Sequence, residues 1–236
     1  MDKKVKVLVV MTNTDHYGND SEKTGLWLAE ATEFVDKVKR NGIKVDYVSP
    51  EGGQVPLDPR SMKKPYASKK DFDILNSLDF KTRAIKNSLK PSDINPADYF
   101  AIYYTGGHGV LWDFPKNREL IKIAETIYNS GGYICSVCHG VVGLLNIKDS
   151  NDNYLIDGRY ITGFTDQEEF LGGKKEKVPF SAEQEAKIRG ANFLKTLPYT
   201  PNAVKCGRLI TGQNPFSGRA VARKLVNDLK KKELYI

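Results

Sequence analysis

Short β-branched and aromatic runs alternate along the chain with longer stretches whose apolar residues recur at helical spacing. The first run, Val5 to Met11, is almost wholly apolar, as a strand buried on both faces requires. A loop rich in Asn, Asp and Gly, Asn13 to Ser21, leads to a helix expected from about Thr24 to Asn41. Its apolar stripe is Leu28, Ala31, Val35 and Val38, and Gly42 is its stop. Lys44 to Val48 reads as a second strand and Tyr99 to Tyr104 as a third. A helix is expected from Lys116 to Ser130, ended by Gly131-Gly132, and the run from Tyr133 then leads into Cys138. Further on, Tyr160 to Thr162 and Ala203 to Cys206 read as short strands. Ser181 to Leu194 and Ser217 to Lys232 read as helices, each opened by a serine suited to N-capping. Such alternation predicts an α/β fold with a mostly parallel central sheet covered on both faces.

Residues 49 to 90 break this rhythm. Pro50, Gly52, Gly53, Pro56, Pro59 and Pro65 punctuate a long connection, and a charged, helix-like stretch, Ser77 to Leu89, follows. A connection of this length reads either as a small inserted cap or as a solvent-facing excursion. The 236 residues, 40% of them hydrophobic, fit one domain, 1–236, able to bury its core without disulfides or metals.

Charge changes this picture little. The formal +7 comes from 36 basic and 29 acidic residues spread along the chain. The one dense basic run, Lys230-Lys231-Lys232, falls at the end of the last expected helix, where lysines complement the helix dipole. No basic stripe interleaved with aromatics is present, so nucleic acid is not an expected partner. Val5 to Met11 is too short to span a bilayer and carries no cleavage signal. A cytoplasmic protein without a membrane partner is therefore expected. Three cysteines do not make a disulfide framework.

The candidate chemistry lies at the ends of two expected strands. Cys138-His139-Gly140 follows one, and Val141 to Leu145 can begin a helix. Strand, sharp turn and helix in that order lift a nucleophile above a sheet edge, with helix N–H groups favouring a thiolate. The other loop, Thr105-Gly106-Gly107-His108-Gly109, ends the third strand. Ligands of open parallel sheets bind beyond the carboxyl ends, so the two loops should converge. The amides of Gly107 and His139 can then serve a developing oxyanion. Cys135 and Cys138 form a C-x-x-C, but Cys135 falls inside the apolar run and faces away from Cys138. Redox and metal readings are therefore weak, and Cys135 and Cys206 read as core residues. Two of the three histidines, His108 and His139, occupy these loops. His139 is the natural base for the thiol. An acid should orient its ring; Glu30, Asp113, Asp166, Glu168 and Glu169 are candidates, and spacing does not choose among them.

The segments Thr105 to Gly109, Cys138 to Gly140 and Ile161-Thr162-Gly163-Phe164-Thr165-Asp166, with Glu30 after Lys23-Thr24-Gly25, resemble the DJ-1/PfpI superfamily. Within it they resemble the Hsp31-like class of glutathione-independent glyoxalases of the glyoxalase III type, over nearly the whole chain. The resemblance implies a flavodoxin-like three-layer sandwich and a homodimer. It implies Cys138 as nucleophile, His139 as base, Glu169 as the acid of a Cys-His-Glu triad and Glu30 as a carboxyl against the sulfur. Gly107, His108 and His139 would bind the substrate or its oxyanion. The implied reaction is conversion of a small 2-oxoaldehyde, methylglyoxal, to lactate without cofactor or metal. A stress-linked holding chaperone and a cysteine peptidase or amidase are the alternatives. The segment after Glu169 (Phe170 to Pro179) and the Pro-rich insertion depart most from the pattern of the class.

Overall fold

The computed structural model describes residues 6–233, with side chains to residue 231; Val5 and the Lys232 side chain lie outside that range. Six strands form one sheet in the order β2-β1-β3-β4-β8-β7. They are β1 (Lys6–Val10), β2 (Lys44–Val48), β3 (Ala101–Tyr104), β4 (Tyr133–Val137), β7 (Ala203–Cys206) and β8 (Leu209–Gly212). All pairs are parallel except β7–β8, a hairpin at one edge. The central strands β3 and β4 are buried at every position, which is why they read as continuous apolar runs rather than as alternating ones.

Two apolar cores flank the sheet, giving a flavodoxin-like three-layer sandwich. On one face α1 (Leu28–Lys39) packs beside α7 (Gly218–Glu233), and their core includes Phe34, Val38, Val221 and Leu225. Phe34 stacks on Tyr103 of β3 with ring centroids 3.6 Å apart. On the other face α4 (Arg118–Asn129) contributes Leu120, Ile123 and Ile127, and the helical turns after Cys138 contribute Val141, Val142 and Leu144. The stripe Leu28, Ala31, Val35 and Val38 is buried as expected. Lys230 and Lys231 are exposed at the end of α7.

Several boundaries differ from the sequence expectation, for local reasons. α1 begins at Leu28 rather than near Thr24. Gly25 at φ +149° sits against the backbone of Pro56, and the Leu26 N–H donates to the Pro56 carbonyl, so this segment runs beside the insertion as an extended strip. The expected helix to Leu194 is α6 (Ala182–Ile188): Gly190 turns the chain, and β6 (Asn192–Phe193) pairs with β5 (Tyr160–Ile161). Cys206 lies on the edge strand β7 and is only half-buried, so it is not a core residue; Cys135 is fully buried.

The insertion is more ordered than its prolines suggest. It holds α2 (Lys69–Leu75), opened by a capping box between Ser68 and Asp71, and a π-helical turn over Phe80–Lys86 where Ser77 to Leu89 was expected to be helical. Phe80 and Ala84 anchor this turn in the core beside α1. Among the described residues, no helix is long and apolar enough to cross a membrane.

Candidate active site

The carboxyl ends of β3 and β4 meet beside the β1/β3 switch point of the sheet, where open α/β sheets take their ligands. β4 ends at Val137, and the chain turns abruptly into a 3-10 helix, Cys138–Leu144. Cys138 itself sits at φ +55°, a left-handed conformation a non-glycine residue adopts only when its surroundings impose it. One constraint is Gly140: a Cβ there would lie 2.4 Å from the Tyr104 carbonyl, so the elbow presses directly on the end of β3. In the facing loop Gly107 adopts φ +103°, and a side chain would collide with the Gly25 carbonyl at 2.0 Å. Both loops therefore approach backbone to backbone, which only glycine allows at these positions.

A chain of hydrogen bonds runs through the site. Cys138 Sγ lies 3.4 Å from His139 Nδ1, and His139 Nε2 lies 2.7 Å from Glu169 Oε2. The other carboxylate oxygen, Oε1, lies 2.8 Å from His108 Nε2, and His108 Nδ1 faces Arg60 Nη2 at 2.9 Å. Arg60 is held on Asp58 through Nε and Nη2, and Asp58 takes a further bond from Thr24. Proton placement follows from the donors. A guanidinium only donates, so His108 Nδ1 must accept, and His108 Nε2 carries the hydrogen given to Glu169. A carboxylate accepts from both rings, which leaves His139 Nδ1 as the basic nitrogen facing the sulfur.

The electrostatics agree with this assignment. Burial, then the neighbouring His139, lowers the His108 pKa to about 4 against the pull of Glu169, so its ring is neutral near pH 7. Burial opposes ionisation of Glu169, but His139 and the two ring N–H bonds outweigh it and hold the carboxyl far below the usual range. Glu30 behaves in the opposite way. It is fully buried on α1 against the Cys138 sulfur, and burial raises its pKa to about 8 despite the bond from Gly106 N–H to its Oε2 at 2.7 Å. Oε1 is buried without a hydrogen-bond partner in the protein. Glu30 is thus a neutral acid near pH 7, able to donate toward sulfur. Burial, then Glu30, pushes the Cys138 thiol well above its ordinary value, while the His139 backbone N–H lowers it. Burial thus favours a thiol at Cys138, with the His139 ring nitrogen within reach of its proton.

Two adjacent glutamates are separated by helix geometry. α5 (Asp166–Leu171) is opened by a capping box in which Thr165 and Glu168 bond reciprocally. Glu168 also accepts from Tyr199 N–H, Gln213 and Asn214, so its carboxylate is fully engaged in structure. One residue on, about 100° around the helix, Glu169 faces the histidines. The Thr165-x-x-Glu168 spacing is visible in the sequence and assigns Glu168 to the cap, a signal that separates the two. Asp113 accepts from Thr12 and Asn13, and Asp166 from Ser181 and Gln184; neither hydrogen-bonds to His139.

The site opens into a cavity of about 280 Å³ lined by Cys138, His139, His108 and Glu169. His108 borders this space, yet both of its ring nitrogens are taken by Glu169 and Arg60, so its ring has no free donor for a substrate. His108, His139 and Glu169 also bring ligand atoms within 4.8 Å of one another, and a metal there would have to displace both ring-to-carboxylate bonds. Trp27, Arg60, Tyr66 and Tyr199 line the cavity as well, and the sequence reading missed all of them. They come from distant segments, and only the fold brings them together.

A cysteine elbow with a His-Glu partner over a flavodoxin-like sheet defines a nucleophile-bearing α/β protein. More specifically, residues 24–228 match the family model of the DJ-1/PfpI family, and the chain belongs to that family. It is 34% identical over 233 residues to the glutathione-independent glyoxalase HSP31 of Saccharomyces cerevisiae, covering 95% of this chain and 98% of the relative. The crystal structure of glyoxalase III from Candida albicans superposes with a TM-score of 0.86 at 32% identity, over 95% of this chain and 97% of the other. The Rapid Encystment Protein of Francisella tularensis gives a TM-score of 0.91 at 36% identity, over 95% and 99%.

Proposed function

We propose that this protein is a glutathione-independent glyoxalase that converts a 2-oxoaldehyde such as methylglyoxal to the 2-hydroxy acid. The observation that carries the reading is Glu30, fully buried against a cysteine that also has a histidine base, where burial favours its neutral form. Acyl transfer needs the nucleophile and base alone. Isomerising an aldehyde through an enediol also needs an acid beside the reacting carbons. The names of the yeast and Candida relatives support the same class. A cavity of about 280 Å³ suits a small molecule rather than an extended peptide.

The steps balance with water as the only co-reactant. Cys138 Sγ adds to the aldehyde carbon as His139 takes the thiol proton, giving a hemithioacetal whose oxygen is held by the amides of Gly107 and His139. His139 passes the thiol proton to the hemithioacetal oxygen and then takes the C1 proton as Glu30 protonates the C2 oxygen, giving an enediol. His139 delivers its proton to C2, and the C1 hydroxyl returns a proton to Glu30. The product of that shift is a thioester on Cys138, which water hydrolyses to the 2-hydroxy acid and free thiol. Glu169 keeps His139 in the tautomer the cycle starts from and offsets the charge the ring acquires.

The test is a glutathione-free assay with methylglyoxal and chiral lactate detection, wild type beside Cys138→Ala. D-Lactate from the wild type alone supports the reading, and turnover retained in the variant overturns it. We also take the protein to be a cytoplasmic homodimer, expectations that sedimentation and cell fractionation test directly.

A further inference from the structure

We infer that residues 58–66 of the insertion adapt this cavity to 2-oxoaldehydes that carry a carboxylate several bonds from the aldehyde. The inference rests on the proposed glyoxalase reading and narrows its substrate class. One side of the cavity is lined by Arg60, Lys63 and Lys64 from this single segment, with Lys174 from the segment after α5. Lys63 and Lys64 are exposed at the rim. Two acids near the cavity are matched in charge, Asp58 by Arg60 and Glu22 by Lys174 and Lys177, while Glu169, hydrogen-bonded to His108 and His139, keeps its negative charge at the inner end. Lys63 and Lys64 have no acidic partner among the described residues. Two cations without a local countercharge therefore stand at the mouth, outside the ionised Glu169 and the buried Glu30 of the inner site.

The segment is also built to hold that position. Asp58 is fully buried and takes bonds from Thr24, from the Arg60 side chain and from the Arg60 N–H. Ser61 bonds back to the Asp58 carbonyl through both N–H and Oγ, and Tyr66 N–H bonds to the Lys63 carbonyl. The Arg60 guanidinium lies 5.5 Å from the Trp27 ring centroid, and Tyr66 packs edge-on to the same ring at 4.9 Å. Arg60 also touches His108, so the segment that carries the lysines is tied to the catalytic hydrogen-bond chain. Space permits the longer substrate. A cavity of about 280 Å³ lies near the lower bound of pockets that enclose drug-sized ligands, well beyond what methylglyoxal fills. An aldehyde held at Cys138 would point a chain of a few carbons outward, bringing a terminal carboxylate to the lysines. The chemistry is unchanged: the same hydration of the oxoaldehyde yields a dicarboxylate.

The experiment compares kcat/KM for 4,5-dioxopentanoate, its methyl ester and methylglyoxal. The ester keeps the body and removes the charge. At low ionic strength the acid should be preferred over the ester about tenfold, and raising salt until the Debye length is about 3 Å should shrink that preference to within about twofold. The Lys63→Gln/Lys64→Gln double variant should lose the preference in the same way. Independently of turnover, calorimetry on Cys138→Ala should show 2-hydroxyglutarate binding about tenfold more tightly than lactate, with the difference abolished by salt. Equal kcat/KM for acid and ester at low salt overturns the inference while methylglyoxal turnover leaves the glyoxalase reading intact. Loss of all turnover in the wild type overturns that reading instead, and the calorimetric comparison then decides the present one alone.

Discussion

The two halves of this site are built from different material. The reacting groups sit on the frame: Cys138 and His139 at the end of β4, Gly107 at the end of β3, and Glu30 on the first turn of α1. The outer wall comes from connections, residues 58–66 and the stretch around α5, held by side-chain hydrogen bonds and ring contacts. The first half inherits its precision from strands buried on both faces, where a shift of the elbow would disturb the whole sheet. The second reaches the sulfur's partner at one point, Glu169 of α5, which bonds to His139, and the rest of that wall can change length and charge without disturbing the sheet.

Mutations that separate these halves should differ in kind as well as in size. Cys138→Ala should cost about 10⁴-fold or more in kcat, with the melting temperature within about 3 °C of wild type in a thermal scan. Glu169→Gln removes the charge between His108 and His139 and should lower kcat about 10²- to 10³-fold, measured as initial rates at pH 7. Glu30→Gln keeps the shape but removes the acid, and should cost about 10- to 100-fold. The wild-type kcat/KM profile should fall as pH rises through about 8, where Glu30 ionises beside the sulfur, and this limb should vanish in Glu30→Gln. Stability carries the same sign. Glu30 binds its proton more tightly folded than unfolded, so its contribution is fully present below about pH 4.5 and is lost as pH rises through about 8. Denaturant titrations across that range should show the loss in the wild type and not in Glu30→Gln.

Glu168→Ala makes the sharpest contrast within one helix. It should leave kcat within about threefold of wild type yet lower unfolding free energy by about 3 kcal/mol, because five donors lose a buried acceptor. A rate loss comparable to that of Glu169→Gln would mean the two glutamates have been told apart wrongly.

The frame was legible in the sequence because burial writes itself into residue type. Continuous apolar runs marked β1, β3 and β4, and the elbow after the last of them was visible as Cys138-His139-Gly140. What escaped was set by contacts between distant segments. β8, only four residues long, earns its place by pairing with β4 and β7 rather than by its own pattern. The start of α1 was displaced because Leu26 N–H bonds to the Pro56 carbonyl and Trp27 N–H to the Gly106 carbonyl. Arg60 and Asp58 fall in the irregular connection, and nothing near them in the sequence points to His108, almost fifty positions away. Glu169 could have been separated from Glu168 by the capping box, since helix phase follows once the cap is fixed.

The central claim is that the sulfur of Cys138 bonds covalently to the aldehyde carbon and that the rest of the site serves that bond. Acid-quenching the enzyme during turnover of methylglyoxal, followed by peptide mass analysis, tests this most directly. The account predicts an adduct of one substrate mass on the Cys138 peptide, absent from Cys138→Ala, which forms no D-lactate. D-Lactate formation by Cys138→Ala at the wild-type rate would contradict it.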